Sequence, residues 1–125
     1  MDIIIQNNGE RPIYEQIVAQ IKHLILTGEL KEGDPLPSMR HLAKELRISV
    51  ITTKRAYEEL ERQGFTQSVV GKGSFVSCQN PALIREEHLR QIESHLQAAA
   101  EMAHTAGISL EELMESLTIL YQEEL

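Results

Sequence analysis

Between residues 37 and 76, two short amphipathic segments and a glycine-centred hairpin follow one another with almost no linker, an order that very few folds accommodate. Pro37 cannot continue a helix backwards, and the Ser38 hydroxyl can cap a helix whose apolar residues are Met39, Leu42, Ala43 and Leu46. After a break at Arg47 and Ile48, Ser49 can cap a second helix. In it Thr53, Ala56, Tyr57 and Leu60 repeat at three and four residues, and Gly64 stands just past the end. Phe65 to Val70 and Ser74 to Ser77 are β-prone runs around Gly71, Lys72 and Gly73, where the glycines permit positive φ and close approach to a phosphate.

Two helices meeting at a short turn and followed by a β-hairpin make a winged helix-turn-helix. That arrangement presents the start of its second helix to a DNA major groove and its hairpin to an adjacent backbone or minor groove. Upstream, Pro12 suits a helix's first turn, and Ile13, Ile17, Ile21, Leu24 and Ile25 form one apolar stripe ending at Thr27 and Gly28. Gly33, Pro35 and Pro37 keep this supporting helix from fusing with the next. Ile3, Ile4 and Ile5 suit a short extended segment that either covers a core edge or meets a partner subunit.

The formal net charge of -7 has the wrong sign for a nucleic-acid binder until it is divided along the chain. Residues 1–81 hold ten Lys/Arg and ten Asp/Glu, whereas residues 82–125 hold two Arg and nine Glu, so the acidity belongs to the tail. Residues 36–76 carry seven basic side chains against four Glu, a local excess able to meet phosphates.

The segment L-P-S-M-R-H-L-A-K-E-L, the run S-x-x-T-x-x-R-A-Y-E-E-L-E-R-Q-G from Ser49 to Gly64, the G-K-G-S-F-V wing and the upstream P-I-Y-E-Q-I together resemble the DNA-binding domain of GntR-family bacterial transcription regulators. Four motifs in order over roughly residues 10–77 are far more specific than any one of them. The resemblance implies a mainly α fold with a small β wing: a winged helix-turn-helix domain over residues 1–78, followed by a two-helix C-terminal dimerisation hairpin over residues 79–125. Large family members carry a ligand-binding or aminotransferase-like domain after the wing. The short remainder here resembles the YtrA-type subgroup, whose members often control transporter operons.

The residues expected to touch DNA follow from the motif. Arg40 stands where the family places a DNA-contacting Arg, the alternative being a surface pair with Glu45. Ser38, Ser49 and Thr52 can donate hydroxyls to phosphates near helix N-termini, beyond the capping role of the two serines. Lys54 and Arg55 are about 100° apart on the helix, so one is expected to reach DNA while the other pairs with Glu58 or Glu59. Lys72, flanked by Gly71 and Gly73, is the wing-tip charge. The chain departs from the family at Val50, where many members have Arg, and at Val70, where a basic residue is common. Val50 and Ile51 are therefore candidates for apolar contact with thymine methyl groups, with packing against the preceding helix the alternative for Val50.

Beyond Pro81, Gly and Pro nearly vanish and Leu, Ala and Glu rise. Leu89, Ile92, Leu96, Ala99, Ala103 and Ala106 recur at three and four residues, Gly107 interrupts, and Ser109 with Glu112 forms an S-x-x-E capping box ahead of Leu110, Leu113, Leu117 and Leu120. This pattern predicts a helix pair that packs against a second copy, the alternative being that it folds back on its own chain.

Composition narrows the remaining classes. No apolar run reaches membrane length and the N-terminus lacks a signal-peptide pattern, so a cytoplasmic protein is expected. Cys78 is alone, which leaves no disulfide, and the five His lack companions for a tetrahedral metal set. No nucleophile-base pair is visible, so neither an enzyme nor a cofactor is expected. The leading expectation is a dimeric repressor of a transporter or stress-response operon on an inverted-repeat operator in double-stranded DNA, with a small-molecule effector left open. A helical interaction or ligand-sensing module whose winged helix no longer binds DNA is the competing class.

Overall fold

The computed structural model describes residues 1–77 and 81–123, in the order α1 (Ile13–Leu26), α2 (Met39–Leu46), α3 (Val50–Arg62), β1 (Thr66–Val69), β2 (Gly73–Val76), α4 (Pro81–Ala106) and α5 (Leu110–Glu123). Cys78 lies outside the described residues. The chain divides into two compact units, residues 1–84 and 85–125, so the first turn of α4 belongs with the first unit.

In the first unit, α1, α2 and α3 enclose a core in which Ile17, Ile21, Leu42, Leu60 and Phe65 are fully buried. Truncating any of these to Ala would cost about 2–5 kcal/mol. The stripe predicted for α1 is wider than the isoleucine spacing indicated, because Val18 and Lys22 are buried with it. The Lys22 ammonium reaches Gln63 Oε1 at 2.8 Å and lies 5.2 Å from the Phe65 ring centre, which compensates for a charge drawn into the core. Pro12 is the residue before α1 rather than inside its first turn.

The isoleucine triplet covers a core edge within this chain. Ile3 is buried, Ile5 is half-buried and Ile4 points outward. Two glutamines of α1 hold the segment as a neighbouring strand would: Gln20 exchanges hydrogen bonds with the Ile4 N–H and carbonyl at 2.9 and 2.7 Å, and Gln16 does so with Gln6 at 2.8 and 2.9 Å.

In the second unit, the Gly107 φ of 71° turns the chain between α4 and α5, and Ser109 Oγ accepts the Glu112 N–H at 3.2 Å. Ala103 is buried beside this turn, Leu89 and Leu113 are half-buried, and Ala99 is exposed. Ile92, Leu96, Leu117 and Leu120 each keep about half of their surface in solvent (52, 47, 52 and 59 %).

Candidate nucleic-acid interface

One stretch of connector fixes the three elements of the site. Residues 33–36 run beside β2 as a third strand: the Gly33 N–H donates to the Val76 carbonyl, Val76 N–H to Asp34, and Leu36 N–H to Ser74, at 2.8–2.9 Å, with a bridge between Pro35 and Phe75. The next carbonyl, Pro37, accepts the Tyr57 hydroxyl of α3 at 2.7 Å. Burial of that ring in the core pushes the phenol pKa upward, so the hydroxyl keeps the proton it donates. Wing base, α3 and the start of α2 are thus tied within a few residues.

Each helix begins on its predicted cap. Ser38 Oγ accepts the His41 N–H and Ser49 Oγ accepts the Thr52 N–H, both at 3.1 Å. Thr52 is also engaged, its hydroxyl 2.8 Å from that of Ser49. Between the helices Arg47 adopts a left-handed conformation (φ 58°), and the Ile48 N–H closes on the Ala43 carbonyl at 3.0 Å. A non-glycine residue is strained there by roughly 1–2 kcal/mol.

On α3, Thr53, Ala56, Tyr57 and Leu60 are buried, as their spacing predicts. At 100° per residue Ile51 is about 170° from the centre of that buried face, and Arg55 and Glu58 continue the same outward ridge. Ile51 is 81 % exposed, and Val50, 46 % exposed, is not part of the core. The wing pairs β1 and β2 in antiparallel register from Thr66–Val76 to Val69–Gly73. With Val69 paired to Gly73, the turn is residues 70–72: the Lys72 N–H returns to the Val69 carbonyl at 2.9 Å, Gly71 supplies a positive φ (77°), and fully exposed Val70 shares the tip with Lys72.

Two carboxylates offered as alternative partners for Arg40, Lys54 and Arg55 are engaged elsewhere. Glu45 pairs with His41 at 3.0 Å rather than with Arg40. Glu59 is taken by Arg62 and Gln63 rather than by Lys54 or Arg55. Hydrogen bonds from those two side chains, with Arg62's charge adding to them, lower the Glu59 carboxyl to about 2. Among the described residues no ion pair engages Arg40, Lys44, Lys54, Arg55 or Lys72, and all five are exposed. The Arg55 guanidinium instead stacks 4.0 Å from the Tyr14 ring centre on α1.

Sequence periodicity did not reveal that Tyr14 contact, nor Glu61, whose carboxylate accepts the Ser68 N–H at 2.6 Å and fastens β1 to α3. Among the described residues no group of His, Cys, Asp and Glu could hold a metal ion, and no helix is long and apolar enough to cross a membrane.

A family profile described as "Bacterial regulatory proteins, gntR family" matches residues 13–76, which span the three helices and the wing. The chain belongs to the GntR family. This GntR chain is 39 % identical to the HTH-type transcriptional repressor YtrA of Bacillus subtilis over 90 % of its own length and 87 % of that protein's, which places it in the YtrA-type group. The solved structure of YtrA from Sulfolobus acidocaldarius, a GntR-family transcription factor, superposes with a TM-score of 0.61 at 38 % identity, over 77 % of this chain and 97 % of that one. The AraR DNA-binding domain in complex with operator ORX1 superposes with a TM-score of 0.55 at 26 % identity, over 62 % and 96 %. The GntR chain is thus a transcription regulator with a winged-helix DNA-binding domain, and the relatives named here are regulators rather than enzymes.

Proposed function

We propose that this GntR-family protein is a dimeric, cytoplasmic repressor that binds an inverted-repeat operator in double-stranded DNA, in the control region of a transporter or stress-response operon. The observation that carries this reading is the set of cations that, among the described residues, no ion pair engages, on the three linked elements: Arg40 on α2, Lys54 and Arg55 on α3, and Lys72 in the wing turn. A side chain meant only for solubility or helix stability gains from a nearby carboxylate. Exposed and outside any ion pair among the described residues, these cations remain able to displace counterions from phosphates. Ser38, Ser49 and Thr52 sit at the helix N-termini, where the dipole favours an anion, and Gly71 and Gly73 let the wing backbone come close.

The dimer reading rests on Ile92, Leu96, Leu117 and Leu120, apolar side chains spaced as a helix-pairing surface yet half in solvent. Leu89, Ala99, Ala103 and Leu113 extend that surface, which a second copy would cover. A twofold pair then matches two half-sites about one helical turn apart or a multiple of it.

Titration of operator DNA at several salt concentrations tests the reading. Arg40→Ala and Lys72→Ala should each weaken binding and flatten the slope of log K against log salt by about one. Unchanged affinity and slope in both variants would contradict it.

A further inference from the structure

Ile51 occupies the first turn of α3 and is 81 % exposed, on the ridge farthest from the core. Building a helix gives no reason for it: a β-branched residue lowers helix propensity slightly, and an exposed one contributes no packing. Its neighbours sharpen the question. Val50 has no polar group, the Thr52 hydroxyl is joined to Ser49 at 2.8 Å, and Thr53 is buried with its hydroxyl on the Ser49 carbonyl at 3.2 Å. Of these four residues only Thr52, its hydroxyl already joined to Ser49, keeps any capacity to hydrogen-bond, so the turn presents mainly apolar surface. The first cations, Lys54 and Arg55, come a turn later, and Arg55 is stacked on Tyr14.

We propose that Ile51 reads a thymine methyl group in each half-site, so that the operator carries an A·T pair at that position. This rests on the DNA-binding reading of α3 above. The C5-methyl of thymine is the one apolar group that projects into the major groove, where the other bases present mainly hydrogen-bond donors and acceptors. An isoleucine pressed on a guanine or cytosine edge would strip water from polar atoms and return no hydrogen bond. Against thymine it covers a methyl group, and its single preferred helical rotamer leaves little side-chain freedom to lose. Specificity at this turn is then apolar, while the cations of α2, α3 and the wing supply affinity without regard to sequence.

The experiment uses the full-length protein and duplexes enriched by it from a random library, with each thymine of a half-site replaced in turn by uracil, which differs only in the missing methyl. One thymine per half-site should show about a fourfold loss in the unmutated protein, the equivalent of one methyl-sized burial. In Ile51→Ala the same uracil should have almost no further effect, because both changes remove the same contact. Uracil neutral at every thymine, or an equal loss in protein and variant, would overturn the proposal while leaving DNA binding intact. A library from which no sequence is enriched would overturn the DNA reading and this inference with it.

Discussion

Replacing Tyr14 by Leu should weaken DNA binding although Tyr14 lies on α1 and is not itself proposed to touch DNA. The Arg55 guanidinium lies 4.0 Å from the Tyr14 ring centre, well inside the range of a cation–π contact, and at a solvated site such a contact contributes about 0.5–1 kcal/mol. If the ring aims Arg55 at the duplex, its loss should reduce affinity by about two- to fivefold, since 1.4 kcal/mol corresponds to a factor of ten. Tyr14 also packs on the core, so Tyr14→Leu removes apolar contact as well. A double-mutant cycle with Arg55→Ala separates the two effects, in urea unfolding for stability and in operator titration for binding. Tyr14→Phe keeps the ring and should behave nearly as the unmutated protein does. Strictly additive losses in the cycle, or an affinity that falls in Arg55→Ala but not in Tyr14→Leu, would refute the positioning role.

Glu61→Ala should free the Ser68 N–H and loosen the wing from α3, lowering operator affinity while the unfolding midpoint moves little, as read by titration and thermal melting. Tyr57→Phe should lose about 1 kcal/mol of stability in urea unfolding, because the Pro37 carbonyl loses its hydrogen-bond donor. Arg47→Gly should raise stability by roughly 0.5–1 kcal/mol on the same measurement, the left-handed strain being larger than the added freedom of the unfolded chain. Ile92→Glu together with Leu117→Glu should convert a dimer to a monomer in light scattering, and a protein that stays dimeric would remove the helix-pair surface from the account.

The parts of the fold that were legible in the sequence are those governed by short-range rules. Ser38 and Ser49 cap, Thr53, Ala56, Tyr57 and Leu60 face inward, and Gly107 ends a helix, because each depends on residues within one or two turns. The contacts that were not legible join residues distant in sequence. Tyr14 and Arg55 meet only after α1 packs on α3, and the Pro37 carbonyl finds Tyr57 only once the connector lies along β2. The wing tip shows a subtler limit. Both Gly71 and Gly73 have positive φ, so the composition alone did not say that the last paired residues are Val69 and Gly73, which puts Val70 in the turn together with Lys72. The carboxylate pairings stayed open for a related reason. Spacing allowed Glu45 and Glu59 more than one cation each, and the pairing adopted leaves Arg40, Lys54 and Arg55 outside any ion pair among the described residues.

Whether α2, α3 and the wing together face the duplex is tested most directly by backbone amide NMR shifts of the full-length protein titrated with its enriched operator. The largest changes should fall at residues 38–40, 49–55 and 70–73, and added salt should reverse them as phosphate contacts are screened. Shifts confined to the N-terminal segment and the outer face of α1, with those three stretches unmoved, would contradict the account.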